Sequence, residues 1–146
     1  MWWSRTGWTT LREDGVSLEH PRTWRVKRED GHLHLSPRGK SVHLMVAAFR
    51  KTRGSLDELV EAKLAADADT FPALGPRVEK AGRNWTGIRH EADDVRPDRE
   101  VDTRRVVVCA ARGDLYVTLS LYLDPDEFSA DRATYERVLG SLELTK

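Results

Sequence analysis

Nine consecutive residues, Leu115–Leu123, alternate without a break. Leu115, Val117, Leu119, Leu121 and Leu123 fall on one side, and Tyr116, Thr118, Ser120 and Tyr122 on the other. Successive side chains of a strand point to opposite faces, so this run dictates a strand with one wholly aliphatic face. Such a face must be covered by other elements, and a chain containing it is not an all-helical bundle.

A hairpin precedes it: His32–Ser36, the turn Pro37-Arg38-Gly39-Lys40, then Ser41–Phe49. Alternation predicts Leu35 opposite Val42 and Leu33 opposite Leu44, all four on one face. The same register sets His34 opposite His43, with His32 and Met45 beside them on the other face. A slip of one residue would turn the apolar set outward. Further strands are expected over Trp8–Arg12, Val16–Glu19, Trp24–Arg28, Arg77–Ala81, Asn84–Asp94 and Val101–Ala111, separated by Asp14-Gly15, Glu29-Asp30-Gly31, Gly82 and Gly113-Asp114.

Two helices complete the pattern. Ser55-Leu56-Asp57-Glu58 is a capping box, and Leu56, Leu59, Val60, Leu64, Ala68 and Phe71 then recur at helical spacing until Pro72. The second helix opens at Asp124-Pro125-Asp126-Glu127, with aspartate at the N-cap and proline at N1. Its stripe is Phe128, Tyr135, Val138, Leu139 and Leu142. The fold class is α+β: one mainly antiparallel sheet with two principal helices packed against it. At 146 residues the chain fits one domain, residues 1–146, with a Trp-rich segment over 1–8.

Composition excludes several function classes. Lys+Arg and Asp+Glu both number 24, so the basic excess that phosphate contacts require is missing and no nucleic-acid partner is expected. No run approaches the ~18 apolar residues of a membrane span. No signal-peptide pattern is visible either, so the expectation is a cytoplasmic protein without membrane insertion. Cys109 is the single cysteine, which rules out an internal disulfide and a Cys/His zinc framework. The chain has no P-loop, G-x-G-x-x-G run or nucleophile elbow, and no cofactor is expected. His90 and Glu91 point to opposite faces of one strand, so with Asp93 and Asp94 they read as a charged hairpin pairing with Arg104 or Arg105, not as an acid–base couple. The expectation is that the protein is not an enzyme.

Asp14-Gly15-Val16-Ser17-Leu18, followed by Pro21 and Trp24, forms a distinctive opening pattern. Val138-Leu139-Gly140-Ser141-Leu142-Glu143-Leu144 runs the last helix into a short apolar tail. On these residues, and on the order of elements between them, the chain resembles the PsbP-like superfamily. That group includes a photosystem II extrinsic subunit, a Ran-binding nuclear import factor, DcrB-type proteins and Eag-type chaperones of secreted effectors. The resemblance implies a central antiparallel sheet between helical layers and a binding or assembly role. Two departures stand out: no transit peptide or lipobox cysteine is present, and the balanced charge gives no hint of a Ran-like partner. No functional residue of the family carries over.

Three constellations remain. His32, His34 and His43 gather on the hairpin, where neutral imidazoles are ligands for Zn, Cu or Ni; the plainer reading is a wet cross-strand cluster. Met45 and Phe49, with Tyr116 and Tyr122, share that face with His34 and His43, and Tyr, Met and Phe are residue types of protein contacts. The competing reading has the second helix cover them as another core layer. Trp2, Trp3 and Trp8 either dock back onto the domain or anchor a partner or a second copy in a homodimer. The function expected is a non-enzymatic protein-binding or adaptor module. Its most concrete form is an Eag-like chaperone for a secreted effector or toxin, and a metal- or small-ligand-binding domain and a toxin-immunity protein are the alternatives.

Overall fold

The computed structural model describes residues 7–39, 42–50, 55–67, 77–94 and 103–145. Among these residues, ten strands and three helices follow in order: β1 (Trp8–Glu13), β2 (Val16–Pro21), β3 (Arg25–Glu29), β4 (His32–Ser36), β5 (Val42–Arg50), α1 (Leu56–Asp67), β6 (Arg77–Ala81), β7 (Thr86–Asp94), β8 (Thr103–Arg112), β9 (Leu115–Leu123), α2 (Pro125–Ala130), α3 (Arg132–Gly140) and β10 (Glu143–Leu144). All described pairings are antiparallel.

The strands form two sheets where one was expected. Seven lie in the order β3-β4-β5-β9-β8-β7-β6, and β1, β2 and β10 form a separate small sheet. Asp14-Gly15 and Asp30-Gly31, with positive φ at all four residues, make two-residue turns of the mirror-image type that suits strand twist. These turns fix β1 to β2 and β3 to β4 without ambiguity.

The alternation in β9 is realised as read. Leu115, Val117, Leu119, Leu121 and Leu123 are buried on one face with Leu35, Val42, Leu44, Val46, Val106, Val108 and Ala110. Against them pack Val16 and Leu18 of the small sheet, Trp24, and Phe128, Tyr135, Val138 and Leu139 of α2 and α3. The other face meets α1, where Val60, Ile88, Val107 and Cys109 form a smaller buried cluster flanked by Leu56 and Leu59. The large sheet is thus sandwiched, with α1 on one side and α2, α3 and the small sheet on the other.

Three expectations are corrected. The β4–β5 register puts Leu35 opposite Leu44, His34 opposite Met45 and Leu33 opposite Val46, two residues from the expected pairing. Side-chain faces repeat every second residue, so this slip leaves every apolar residue inside; only the length of the turn distinguishes the two registers. The C-terminal helix is two helices broken at Asp131, whose backbone leaves helical geometry (φ −134°). Finally, the element against the Tyr116–Tyr122 face is the first helix, not the last: the C-terminal helices cover the leucine face instead.

Both predicted caps are present. Ser55 Oγ accepts the Glu58 N–H at 3.2 Å, and Asp124 Oδ1 accepts the Asp126 N–H at 2.7 Å. Ala68 and Phe71 of the α1 stripe, and the side chain of Leu64, lie outside the described residues.

Trp85 joins the layers. Its indole N–H donates to the Leu142 carbonyl at 2.8 Å, and the ring lies over Gly82 and Gly87, where any side chain would collide with it. Asn84 exchanges two hydrogen bonds with the backbone of Leu144, at 2.8 and 2.9 Å.

A candidate binding strip along the second face of the large sheet

The face opposite the leucines is set strand by strand by register. His32 and His34 lie on β4, His43, Met45, Ala47 and Phe49 on β5, and Tyr116, Thr118, Ser120 and Tyr122 on β9. His43 pairs with Tyr122, Met45 with Ser120, and Phe49 with Tyr116. The centre of β9 is enclosed, with Tyr116 7%, Thr118 5% and Ser120 0% exposed. Along β5 the face opens: His43 is exposed, Met45 and Ala47 are half-buried, and Phe49 is 40% exposed. Phe49 stacks on Tyr116 at 5.9 Å with a 16° angle between rings. An exposed aromatic ring thus rests on a buried one, a rigid apolar step at one end of the strip.

The histidines occupy the other end. His34 and His43, diagonal across the hairpin rather than opposite, bring Nδ1 of the first and Nε2 of the second within 2.7 Å. Their ring centroids are 4.9 Å apart with planes only 15° from parallel. A centroid separation this much longer than the nitrogen contact means that the rings lie side by side, nitrogen facing nitrogen, sharing one proton. His32 stands edge-on to His34 at 6.4 Å, and Tyr122 lies 6.5 Å from His43. Partial burial of the ring, and then the neighbouring His34, hold the His43 pKa below the ordinary histidine value. Lys27 sits across from His34 on β3 and is engaged by Glu29 at 3.1 Å. Among the described residues, no three His, Cys, Asp or Glu side chains converge as a multidentate metal site requires.

Trp8 is removed from this strip. It is half-buried against the main core, and the Arg137 guanidinium lies 3.8 Å above its ring in a cation–π contact. Trp2 and Trp3 lie outside the described residues. Cys109 is enclosed beneath α1 as a small apolar residue.

The charged hairpin behaves as its strand pattern requires. Asp93 accepts from Arg104 at 2.6 and 3.1 Å, which holds its carboxyl below the ordinary range. His90 points to the α1 side and Glu91 to the other. His90 is buried, and neither ring nitrogen has a hydrogen-bond partner among the described residues; Ser120 Oγ is in the same position. One arrangement was missed entirely: Arg89 donates to Glu136 of α3 at 2.6 and 2.9 Å and to Glu91 at 3.0 Å. Burial opposes the Arg89 charge, but the two carboxylates sustain it and its pKa is raised. This cluster borders a surface hollow of about 300 Å³ lined by Val78, Lys80, Arg89, Glu91, Arg132 and Glu136. A partner 47 residues away leaves no local trace in sequence.

The described geometry has a counterpart among solved structures. The cyanobacterial PsbP protein (CyanoP) of Synechocystis sp. PCC 6803 superposes over 94% of this chain and 92% of its own, with a TM-score of 0.75 at 11% identity. The chain has a PsbP-like fold. A Pseudomonas aeruginosa protein of unknown function, PA94, shares it at a TM-score of 0.61 and 14% identity, over 95% of this chain and 98% of that one. So does LpqN of Mycobacterium tuberculosis, a protein involved in cell envelope biogenesis, at a TM-score of 0.56 and 9% identity over 95% and 91%. No protein-family model and no curated protein sequence matches the chain. At these identities the PsbP-like likeness is one of fold. Among the described residues, no helix is long and apolar enough to cross a membrane.

Proposed function

We propose that this PsbP-like domain is a non-enzymatic protein-binding module whose contact surface is the strip from Phe49 through Met45 to His43 and Tyr122. The observation that carries this reading is the exposed Phe49 ring stacked on the buried Tyr116. Aromatic rings held rigid at the surface lose little entropy on binding and are typical anchors of interfaces, and a half-buried methionine adapts to irregular apolar partners. The strip has the chemistry to receive an apolar or amphipathic segment of another protein. The finer form of the proposal is an adaptor or chaperone that shelters such a segment of a secreted effector or toxin before its delivery.

A photo-crosslinking residue at Phe49, with one at the exposed Glu61 of α1 as control, tests this in the native host. The expected result is one partner trapped reproducibly from position 49 and not from position 61. With that partner purified, Phe49→Ser weakens binding about tenfold or more, while the free domain stays folded by circular dichroism and loses about 1–2 kcal/mol of stability with the stack on Tyr116. Equal trapping from both positions, or full affinity after Phe49→Ser and Tyr122→Ser together, overturns the assignment.

A further inference from the structure

We propose that the β4–β5 hairpin is a binding site for a low-coordinate soft metal ion, Cu(I), held between His34 Nδ1 and His43 Nε2 with the Met45 thioether as third ligand. Two imidazole nitrogens already face one another at 2.7 Å in nearly coplanar rings, so both lone-pair directions meet in one place. A modest opening of the pair, by rotation of two surface side chains, admits an ion between them. The absence of any third converging His, Cys, Asp or Glu among the described residues argues against zinc, which takes four ligands in structural sites and three plus water in catalytic ones. A d10 ion content with two or three ligands has no such requirement. Met45 lies directly opposite His34 on the same face and is half-buried; thioether ligands select Cu(I), and imidazole accepts it.

Proton bookkeeping supports the pair as a ligand set. When both rings are neutral, one nitrogen of the 2.7 Å contact carries a proton and the other a lone pair. On metal binding that proton moves to the remote nitrogen of its own ring, a change of tautomer with no net proton release. Lys27, the cation across from His34, is already engaged by Glu29, which moderates its repulsion of an incoming ion. The site shares Met45 and His43 with the proposed protein-contact strip, but that reading is carried by the Phe49–Tyr116 stack, so failure of copper binding and failure of partner trapping at position 49 are separate results.

The test is anaerobic competition for Cu(I) against its coloured bicinchoninate complex, in the full chain carrying Cys109→Ala so that the buried thiol is removed as a rival ligand. One equivalent of Cu(I) is expected to leave the indicator. His34→Ala and His43→Ala should each weaken binding about tenfold or more, with Met45→Leu doing so less. Addition of Ag(I), a redox-silent substitute, should shift the imidazole ¹⁵N resonances of His34 and His43 and leave those of His20 and His90 in place. Circular dichroism verifies that each variant is folded, and His34→Gln serves where the alanine variant is not. No uptake from the indicator, unchanged affinity in the folded histidine variants, or binding that disappears with Cys109 overturns the proposal.

Discussion

On one side of β9, Leu115, Val117, Leu119, Leu121 and Leu123 are all at most 2% exposed and belong to the main apolar core. On the other side, Tyr116, Thr118 and Ser120 are nearly as enclosed, at 7%, 5% and 0%, yet carry hydroxyls, and Ser120 Oγ has no hydrogen-bond partner among the described residues. The same backbone therefore serves two kinds of interior. The leucine face is closed by two helices and a second sheet, and its cohesion comes from close packing. The tyrosine face tolerates unsatisfied polar atoms and opens along β5 into imidazole, thioether and phenyl groups. Such a contrast separates the side that holds the domain together from the side that faces outward chemistry.

Neighbouring residues test that division most directly. Leu121→Ala should cost about 3 kcal/mol, because a fully buried leucine leaves both lost transfer energy and a cavity. Urea denaturation measures it, and a cost below about 1 kcal/mol would mean that this face is not closely packed. One residue earlier, Ser120→Ala should be neutral or stabilising by up to about 1 kcal/mol, since it removes a buried hydroxyl without a partner. Destabilisation by more than that amount would reveal a bond to the hydroxyl and narrow the difference between the faces.

The smallest effect concerns pH. The lowered pKa of His43 means that the unfolded chain takes up this proton first as pH falls. Its contribution to stability is therefore complete above the unfolded value of about 6.5 and is lost progressively below it. Thermal unfolding between about pH 7 and pH 5.5 should show a steeper decline for the wild type than for His43→Gln. Parallel curves would show that the imidazole pair carries no linkage.

Much of this architecture could be read from residue order, and the failures share one cause. Alternation in Leu115–Leu123, the Asp-Gly turns, and the caps at Ser55 and Asp124 are local, and each appears where expected. Alternation states which face a residue takes but not which partner it meets. Hence alternation places the β4–β5 register two residues from the observed one, does not separate β1 and β2 from the large sheet, and carries no sign of the bidentate grip of Arg89 on Glu136. The histidine strip shows the same limit: alternation sets His34 directly opposite His43, and the two meet instead on the diagonal, with Met45 opposite His34. Trp85 gave no periodic signal at all, because its role is to fill the space left by two glycines.

The C-terminal strand has a consequence for biosynthesis. β2 is completed by pairing with β10, and the Glu19 amide is received by Ser141, 122 residues further along the chain. A ribosome delivers these segments in the reverse of the order in which they are needed, so the opening hairpin leaves the exit tunnel with a bare edge and an uncovered apolar side. Until residues 141–145 emerge, β2 lacks its partner strand on that edge, so the opening hairpin is the last part of the fold to complete its pairing.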